Sequence, residues 1–251
     1  MQVSIIVPVL NEAPVIRGFL SHLRERAPEA EIIVSDGAST DGTDELAAGL
    51  CDQLVRNSEP SRAIQMNAGA RAARGDVFWF LHADTELPSG CLDEIGRIVG
   101  DGRVSGGYFR ISLPQGFVYR LSDSFAHYAG FLLQMRCGDH GIFCRRTAFI
   151  EAGAFPDVSV MEDVEFFRRL RRRGRVVYSK KRIAVSARRY EAVGPVRLTL
   201  AYGAIGALYA LGVPISQLAG LYQRTCCVAK PTTLPGQSKA DAVGRARDYA
   251  A

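Results

Sequence analysis

At 251 residues, with a hydrophobic share of 47% and a charged share of 23%, the chain has room for one large domain or one domain with an appendage. It can bury a core without disulfide or metal staples, which excludes disorder, collagen and coiled coil as whole-chain descriptions. The 31 Lys and Arg against 26 Asp and Glu leave a formal charge of +5, favouring anionic partners without choosing between nucleotides, acidic lipid and nucleic acid.

Val3 to Val9 (VSIIVPV) is a nearly continuous β-branched run, as in a strand covered on both faces of a parallel sheet, with Pro8 at its end. Residues 31–35 and 77–81 repeat that character, and 53–56 form a shorter candidate. Helical stretches at about 14–26, 41–50 and 62–73 fall between them. This alternation predicts right-handed βαβ units in an α/β, Rossmann-like, mostly parallel open sheet. The ligand crevice of such a sheet lies beyond the carboxyl ends of its strands.

The residues after each strand are therefore the ones to question: Asn11 and Glu12, then 36–43, then His82, Ala83 and Asp84. Turn geometry accounts for Gly37 and Gly42, and capping of the next helix accounts for Thr40 with Asp41. Neither accounts for Asp84 and Glu86, which stand in a His-Ala-Asp-Thr-Glu run directly after an aromatic strand. Trp79 and Phe80 within that strand read as core, and His22 reads as an ordinary residue of a surface helix.

Beyond residue 100, the segment 106–113 alternates like a half-exposed strand and 117–135 is helical in pattern, with His127 lacking an evident partner. A glycine-flanked loop over 138–144 leads into a short strand. Residues 160–173 read as a helix with Val164, Phe167 and Leu170 at helical spacing. Glu162, Asp163 and Glu165 lie in its first turn, where the helix dipole alone favours acids.

Residues 198–223 carry no formal charge, but Pro214 divides them and Gly203, Gly206, Gly212, Ser216 and Gln217 dilute their apolarity. Two short helices, buried or lying at an interface, are expected rather than one membrane span. Residues 168–189 hold eleven Arg or Lys, and a basic segment beside an apolar one suits an acidic membrane surface. A solvated helix face followed by a core helix is the other reading. Cys51, Cys91, Cys137, Cys144, Cys226 and Cys227 contain no CxxC pair and read as reduced thiols. No leader pattern precedes Val3, so the expected location is the cytoplasm, peripheral at the inner membrane face if the basic segment meets lipid.

A strand ending in a carboxylate, set against a distant second carboxylate and several arginines, suggests a divalent cation neutralising a diphosphate. Mg2+ and Mn2+ are commonly held by one or two protein carboxylates plus phosphate oxygens, so Asp84 could suffice as the direct ligand. Asp163 could take a proton from an attacking hydroxyl.

Five motifs in order carry a resemblance. They are 4–12 (SIIVPVLNE), 35–43 (SDGASTDGT), Asn67-Ala68-Gly69 with Ala73-Arg74-Gly75-Asp76, Leu81-His82-Ala83-Asp84-Thr85, and Glu162-Asp163. Together they resemble the ordered signature of family 2 glycosyltransferases over roughly residues 3–190. Arg62-Ala63-x-Gln65-Met66-Asn67, the LHADT stretch, the Gly-Asp-x-Gly-Ile-Phe loop and Met161-Glu162-Asp163-Val164-Glu165 are most similar to the bacterial radical-SAM/selenodomain-associated transferase 2 subgroup.

The resemblance implies a GT-A fold, a nucleotide-diphosphate sugar donor (a UDP-sugar first), a divalent cation (Mn2+ or Mg2+) and transfer with inversion to an acceptor hydroxyl. It implies that Pro8, Asn11, Glu12 and Asp36 line the nucleoside pocket and that Arg62 contacts the nucleotide, with Asn67, His82 and Ala83 on the donor side. Asp84 would hold the metal, Asp163 would be the general base, and Arg188-Arg189-Tyr190 would lie near the diphosphate. Asp139, His140 and Glu162 fall where the acceptor approaches. Two departures matter: His82 stands at the first position of the family's Asp-x-Asp, and Gly37 stands where many relatives carry a second Asp. The implied division is a GT-A catalytic domain over 1–195, apolar helices over 196–229 and a loose tail over 230–251.

Rival readings stay in view. No GxGxxG follows the first strand and no GxxxxGK[ST] occurs, which argues against a dehydrogenase. A nucleotidyltransferase shares the sheet, metal and nucleotide but normally shows a basic glycine-rich loop after the first strand, absent here. A non-enzymatic basic protein binding nucleic acid or lipid through 168–189 lacks an interleaved stacking pattern, so no nucleic-acid partner is expected.

Overall fold

The computed structural model describes residues 1–112, 138–186 and 188–226; the predicted helix at 117–135, His127 and the tail over 230–251 lie outside the described residues. Among the described residues, eight strands form one sheet: β1 (Val3–Val9), β2 (Glu31–Asp36), β3 (Gln53–Arg56), β4 (Val77–Phe80), β5 (Thr85–Glu86), β6 (Val104–Ser112), β7 (Phe143–Arg145) and β8 (Arg175–Val185). Their order is β3-β2-β1-β4-β7-β6-β8-β5. The first four run parallel, β7 is antiparallel to both β4 and β6, β6 is parallel to β8, and β5 is antiparallel to β8.

Every residue of β1 is buried, because helices cover both faces of the sheet. Strand alternation sends Ile5 and Val7 to one face, where they meet Ile16, Leu20 and Leu23 of α1 (Ile16–Arg26) and Ile95 and Ile98 of α4 (Cys91–Val99). Ile6 points to the other face, onto Met66 and Ala70 of α3 (Arg62–Ala72). That face continues into an aromatic cluster of Phe78, Phe80, Phe149 and Phe166, joined by α5 (Arg146–Glu151) and α6 (Glu162–Arg171). Trp79 is fully buried, as its sequence context predicts, and its indole N–H donates to the Gly141 carbonyl at 3.1 Å.

Between β2 and β3 lies α2 (Thr43–Ala48), whose start is tied by Asp41: its Oδ1 accepts the Thr43 N–H at 3.1 Å. Gly42, with φ +82°, fills the turn position expected of it. Gly37 has a different reason: a Cβ there would stand 2.8 Å from the Gln65 amide, which donates to the Val9 and Ser35 carbonyls. His22 is likewise more than a surface residue, since its Nε2 accepts the Leu87 N–H at 2.9 Å.

Two expectations need correction. The segment read as a half-exposed strand is β6, which is buried over most of its length because it pairs on both sides and is covered by helices. The segment 168–189 is not one helix face: α6 ends at Arg171 and the chain turns into the long strand β8, whose Lys180 and Arg182 project to solvent. The division at Pro214 holds, giving α8 (Pro195–Ala210) and α9 (Ile215–Cys226) after the short α7 (Arg188–Val193). Tyr209 and Leu218 of this pair pack on Val164 of α6. No described helix is long and apolar enough to cross a membrane. Cys51, Cys91, Cys144 and Cys226 are free thiols.

Candidate active site

The crevice forms where the parallel strands end. Asp36 closes β2 opposite Val9; its Oδ2 accepts the Ser39 N–H at 2.9 Å, while its buried Oδ1 has no hydrogen-bond partner. A carboxylate oxygen buried and unpaired costs free energy unless a ligand's donor satisfies it. Beside it, Asn11 adopts φ +54° and locks the loops after β1 and β2 together: its N–H donates to Ser39 Oγ and its Oδ1 accepts the Thr40 N–H, both at 2.9 Å.

Further along the crevice, a small cleft is lined by Pro8, Arg62, Met66, Phe80, Leu81, His82, Ile142, Phe155 and Asp163. Arg62 begins α3, where Ser61 caps the helix, and its Nη1 lies 3.3 Å from Glu162 Oε1. Burial disfavours its charge, but Glu162 and Asp163 outweigh that effect and hold the guanidinium firmly protonated. Asp163 reaches the cleft because α6 starts abruptly at Met161, whose φ of +65° is costly for a residue with a side chain. Among the described residues four other than glycine have positive φ, Asn11, Ala38, Ala154 and Met161, and the first and last of these shape the crevice.

His82 follows β4 and faces four charged groups, Arg62, Asp139, Asp84 and Arg189. Burial pushes its pKa below the usual 6.5 and Arg62 reinforces the shift, while Asp139 and Asp84 pull the other way. The ring is therefore neutral at pH 7, and its Nε2 lies 3.7 Å from Asp139 Oδ1, beyond hydrogen-bonding range. Asp84 meets a cation from a distant segment: Arg188 Nη2 lies 3.6 Å from Asp84 Oδ2 and 3.3 Å from Glu12 Oε2, so one guanidinium spans the two loops. The adjacent Arg189 donates from Nη1 to the hydroxyls of Tyr202 on α8 (3.1 Å) and Tyr222 on α9 (3.0 Å). Its charge also reaches Asp139.

Pro8, Arg62, His82 and Asp163 thus share one cleft, with Glu162 against Arg62, Asp139 against His82, Asp84 and Arg189 within the field of His82, and Arg188 bridging Asp84 to Glu12. Ala83 is buried between His82 and Asp84. Two expected site residues are turned elsewhere. Asn67 spends its amide on the backbone of Phe155, with Nδ2 donating to the carbonyl at 2.8 Å and Oδ1 accepting the N–H at 3.0 Å, and so supports a cleft wall. His140 is buried, with Nδ1 3.1 Å from the Phe109 carbonyl and its ring edge-on to Tyr108.

The model for glycosyl transferase family 2 matches residues 4–155, more than half of the sequence. The chain belongs to glycosyltransferase family 2. A curated relative, an uncharacterized protein of Mycobacterium tuberculosis (strain CDC 1551 / Oshkosh), is 28% identical over 214 residues, covering 73% of this chain and 66% of its own length. The family 2 chain is also similar in fold to a mannosyltransferase from Pyrobaculum calidifontis solved with GDP-Man and Mn2+, with a TM-score of 0.63, 22% identity, and coverage of 88% of this chain and 69% of that one. A second is S. aureus TarS with UDP-GlcNAc, at TM-score 0.59, 15% identity, and 89% and 73% coverage. A third is glucosyl-3-phosphoglycerate synthase from Mycobacterium tuberculosis with Mn2+, UDP and glucosyl-3-phosphoglycerate, at TM-score 0.56, 19% identity, and 85% and 81% coverage. The sheet is that of the GT-A fold these neighbours share.

A divalent cation at this family 2 site would draw part of its oxygen set from a bound diphosphate. Among the described residues no three His, Cys, Asp or Glu side chains gather to cage an ion. Asp84, partly exposed and with a cation only at 3.6 Å, matches instead the single carboxylate that Mg2+ or Mn2+ needs when a diphosphate supplies other oxygens. Sequence reasoning missed Tyr202 and Tyr222, which stand in the charge-free stretch assigned to apolar helices. The available signal was their hydroxyls, since a tyrosine in an apolar helix needs a polar partner for its tip.

Proposed function

We propose that this family 2 chain moves a hexose-type sugar from a nucleotide-diphosphate donor to an acceptor hydroxyl, with inversion at the anomeric carbon. One observation carries the reading: Asp163 lines the same cleft as Arg62 and His82, and His82 in turn lies in the field of Asp84. Heterolysis of the anomeric C–O bond leaves negative charge on the departing diphosphate and positive charge on the sugar. Arg62, Arg188 and Arg189 supply three positive charges near that end of the site. The Asp163 carboxylate takes the proton of the acceptor hydroxyl while the acceptor's oxygen bonds to the anomeric carbon on the face opposite the leaving group. One C–O bond forms as the other breaks, so no covalent enzyme intermediate is required. Asp84 would hold Mn2+ or Mg2+, and the cation, when bound, neutralises the leaving group.

In this reading the unpaired oxygen of Asp36 accepts a hydrogen bond from the donor base or ribose, beside Pro8, Asn11 and Glu12. The ring N–H of uracil is a suitable partner, so a UDP-sugar is the donor proposed first. His82 and Ala83 border the ribose and phosphates, and Asp139 and Glu162 face the acceptor. The motifs around Arg62 and Met161 support assignment to the radical-SAM/selenodomain-associated transferase 2 subgroup, working in the cytoplasm at an acidic membrane. The test is a screen of nucleotide sugars for slow hydrolysis with and without Mn2+. The expected result is Mn2+-dependent release of a nucleoside diphosphate from one donor, UDP-linked in the first instance. Conversion of the donor to a nucleoside triphosphate and a sugar-1-phosphate on addition of pyrophosphate would instead identify a nucleotidyltransferase, and no turnover of any donor would refute the reading.

A further inference from the structure

Helix α8 is apolar on both sides. Its inner face packs through Leu198, Ile205 and Tyr209, while its outer face, read at helical spacing, is Val196, Leu200, Ala204, Ala207 and Leu211. That outer face is open: Val196 is 57% exposed, Leu200 67% and Leu211 80%. Single exposed apolar residues are ordinary, but an aligned row along a whole helix marks a surface with a partner. Arg197 is the only charge on the row's flank, and no carboxylate interrupts it.

Charge selects the partner. Residues 166–226 contain thirteen Lys or Arg and a single acid, Glu191, although the whole chain carries 31 against 26. Arg171, Arg172, Arg173, Arg197 and Arg224 are exposed within that segment, and Arg168 donates to the Tyr209 hydroxyl at 2.9 Å, which fixes the basic end of α6 beside α8. A second copy of this chain would set this basic segment against itself. A nucleic acid would find no ring on the outer face of α8 on which to stack a base.

We propose that the outer face of α8 is a docking surface for an anionic lipid bilayer, with Val196, Leu200 and Leu211 entering the interface and Arg197, with the exposed arginines of the same basic segment, meeting the headgroups. The helix lies in the interfacial plane, being too short to span. This gives the membrane part of the proposed function its contact face, and its test reads lipid binding alone, so it stands or falls apart from sugar transfer.

The experiment is co-sedimentation of the full chain with vesicles of phosphatidylcholine alone or mixed equally with phosphatidylglycerol, at low and high salt. Expected are binding to the mixed vesicles, severalfold weaker binding at high salt, and little binding to phosphatidylcholine. The double variant Leu200→Ser/Leu211→Ser, with its thermal midpoint measured to verify folding, should lose at least tenfold in partitioning. A folded double variant that binds the mixed vesicles as the unaltered chain does would overturn the proposal. So would no binding of the unaltered chain, a dimer in light scattering that the variant abolishes, or RNA binding with the same dependence on the two leucines.

Discussion

His82 shows how one side chain can report on the whole cleft. Because burial and Arg62 hold its folded pKa below 6.5, the folded protein resists the proton that the unfolded chain accepts. Stability therefore falls as pH drops below 6.5, until the folded-state pKa is reached. The expected outcome is a lower thermal midpoint at pH 5.5 than at pH 7.5, with a smaller drop in His82→Gln; equal drops in both proteins would place His82 outside this role. The sequence exposed the chemistry of this position, a histidine where an aspartate is usual, but not its neighbours. Asp139 reaches it from 57 residues further along the chain, through the loop before β7, and no local pattern encodes that approach.

At the level of elements, β1 and α3 meet so closely that a Cβ on Gly69 would stand 2.5 Å from Ile6 Cγ2. Helix propensity alone favours Ala over Gly by about 1 kcal/mol, whereas overpacking a filled core costs about 1–3 kcal/mol. The clash should win, so Gly69→Ala is expected to destabilise the fold by about 1 kcal/mol in denaturant titration; a stabilised variant would contradict this packing. The hairpin of α8 and α9 makes a different kind of contact, placing two hydroxyls on Arg189. Tyr202→Phe/Tyr222→Phe removes both acceptors, and because these two bonds are exposed to solvent they contribute little to stability while still orienting Arg189. A loss of at least tenfold in transfer kcat/KM, with a nearly unchanged thermal midpoint, is expected; unchanged kinetics would show that Arg189 needs no such support.

Strand and helix alternation was legible through β4 because each element there is local and strongly patterned, from VSIIVPV to VFWF. The later strands were harder to read for a physical reason. β6 pairs with β8 across about 70 residues, and β8 begins in a run of arginines whose charge masks its alternation. The same holds for the site. Asp84 stood out by type and position and the roles expected of Asp36 and Asp163 came from the family resemblance, whereas Tyr202 and Tyr222 meet Arg189 only when the helical hairpin packs against α6 and α7.

For the molecule as a whole, acids from the first 84 residues and from α6 come together at one end of the sheet, bordered by three arginines from two distant segments. The most direct measurement of that arrangement is calorimetric titration of the nucleotide-sugar donor with Mn2+, paired with transfer assays, on Asp163→Asn and Asp84→Ala. The account predicts that Asp163→Asn binds donor within about threefold of the unaltered chain while transfer falls about 10²–10⁴-fold, the usual contribution of general acid–base catalysis. Asp84→Ala should lose its Mn2+-dependent donor binding. Normal turnover in Asp163→Asn, or an undiminished Mn2+-dependent isotherm in Asp84→Ala, would contradict it.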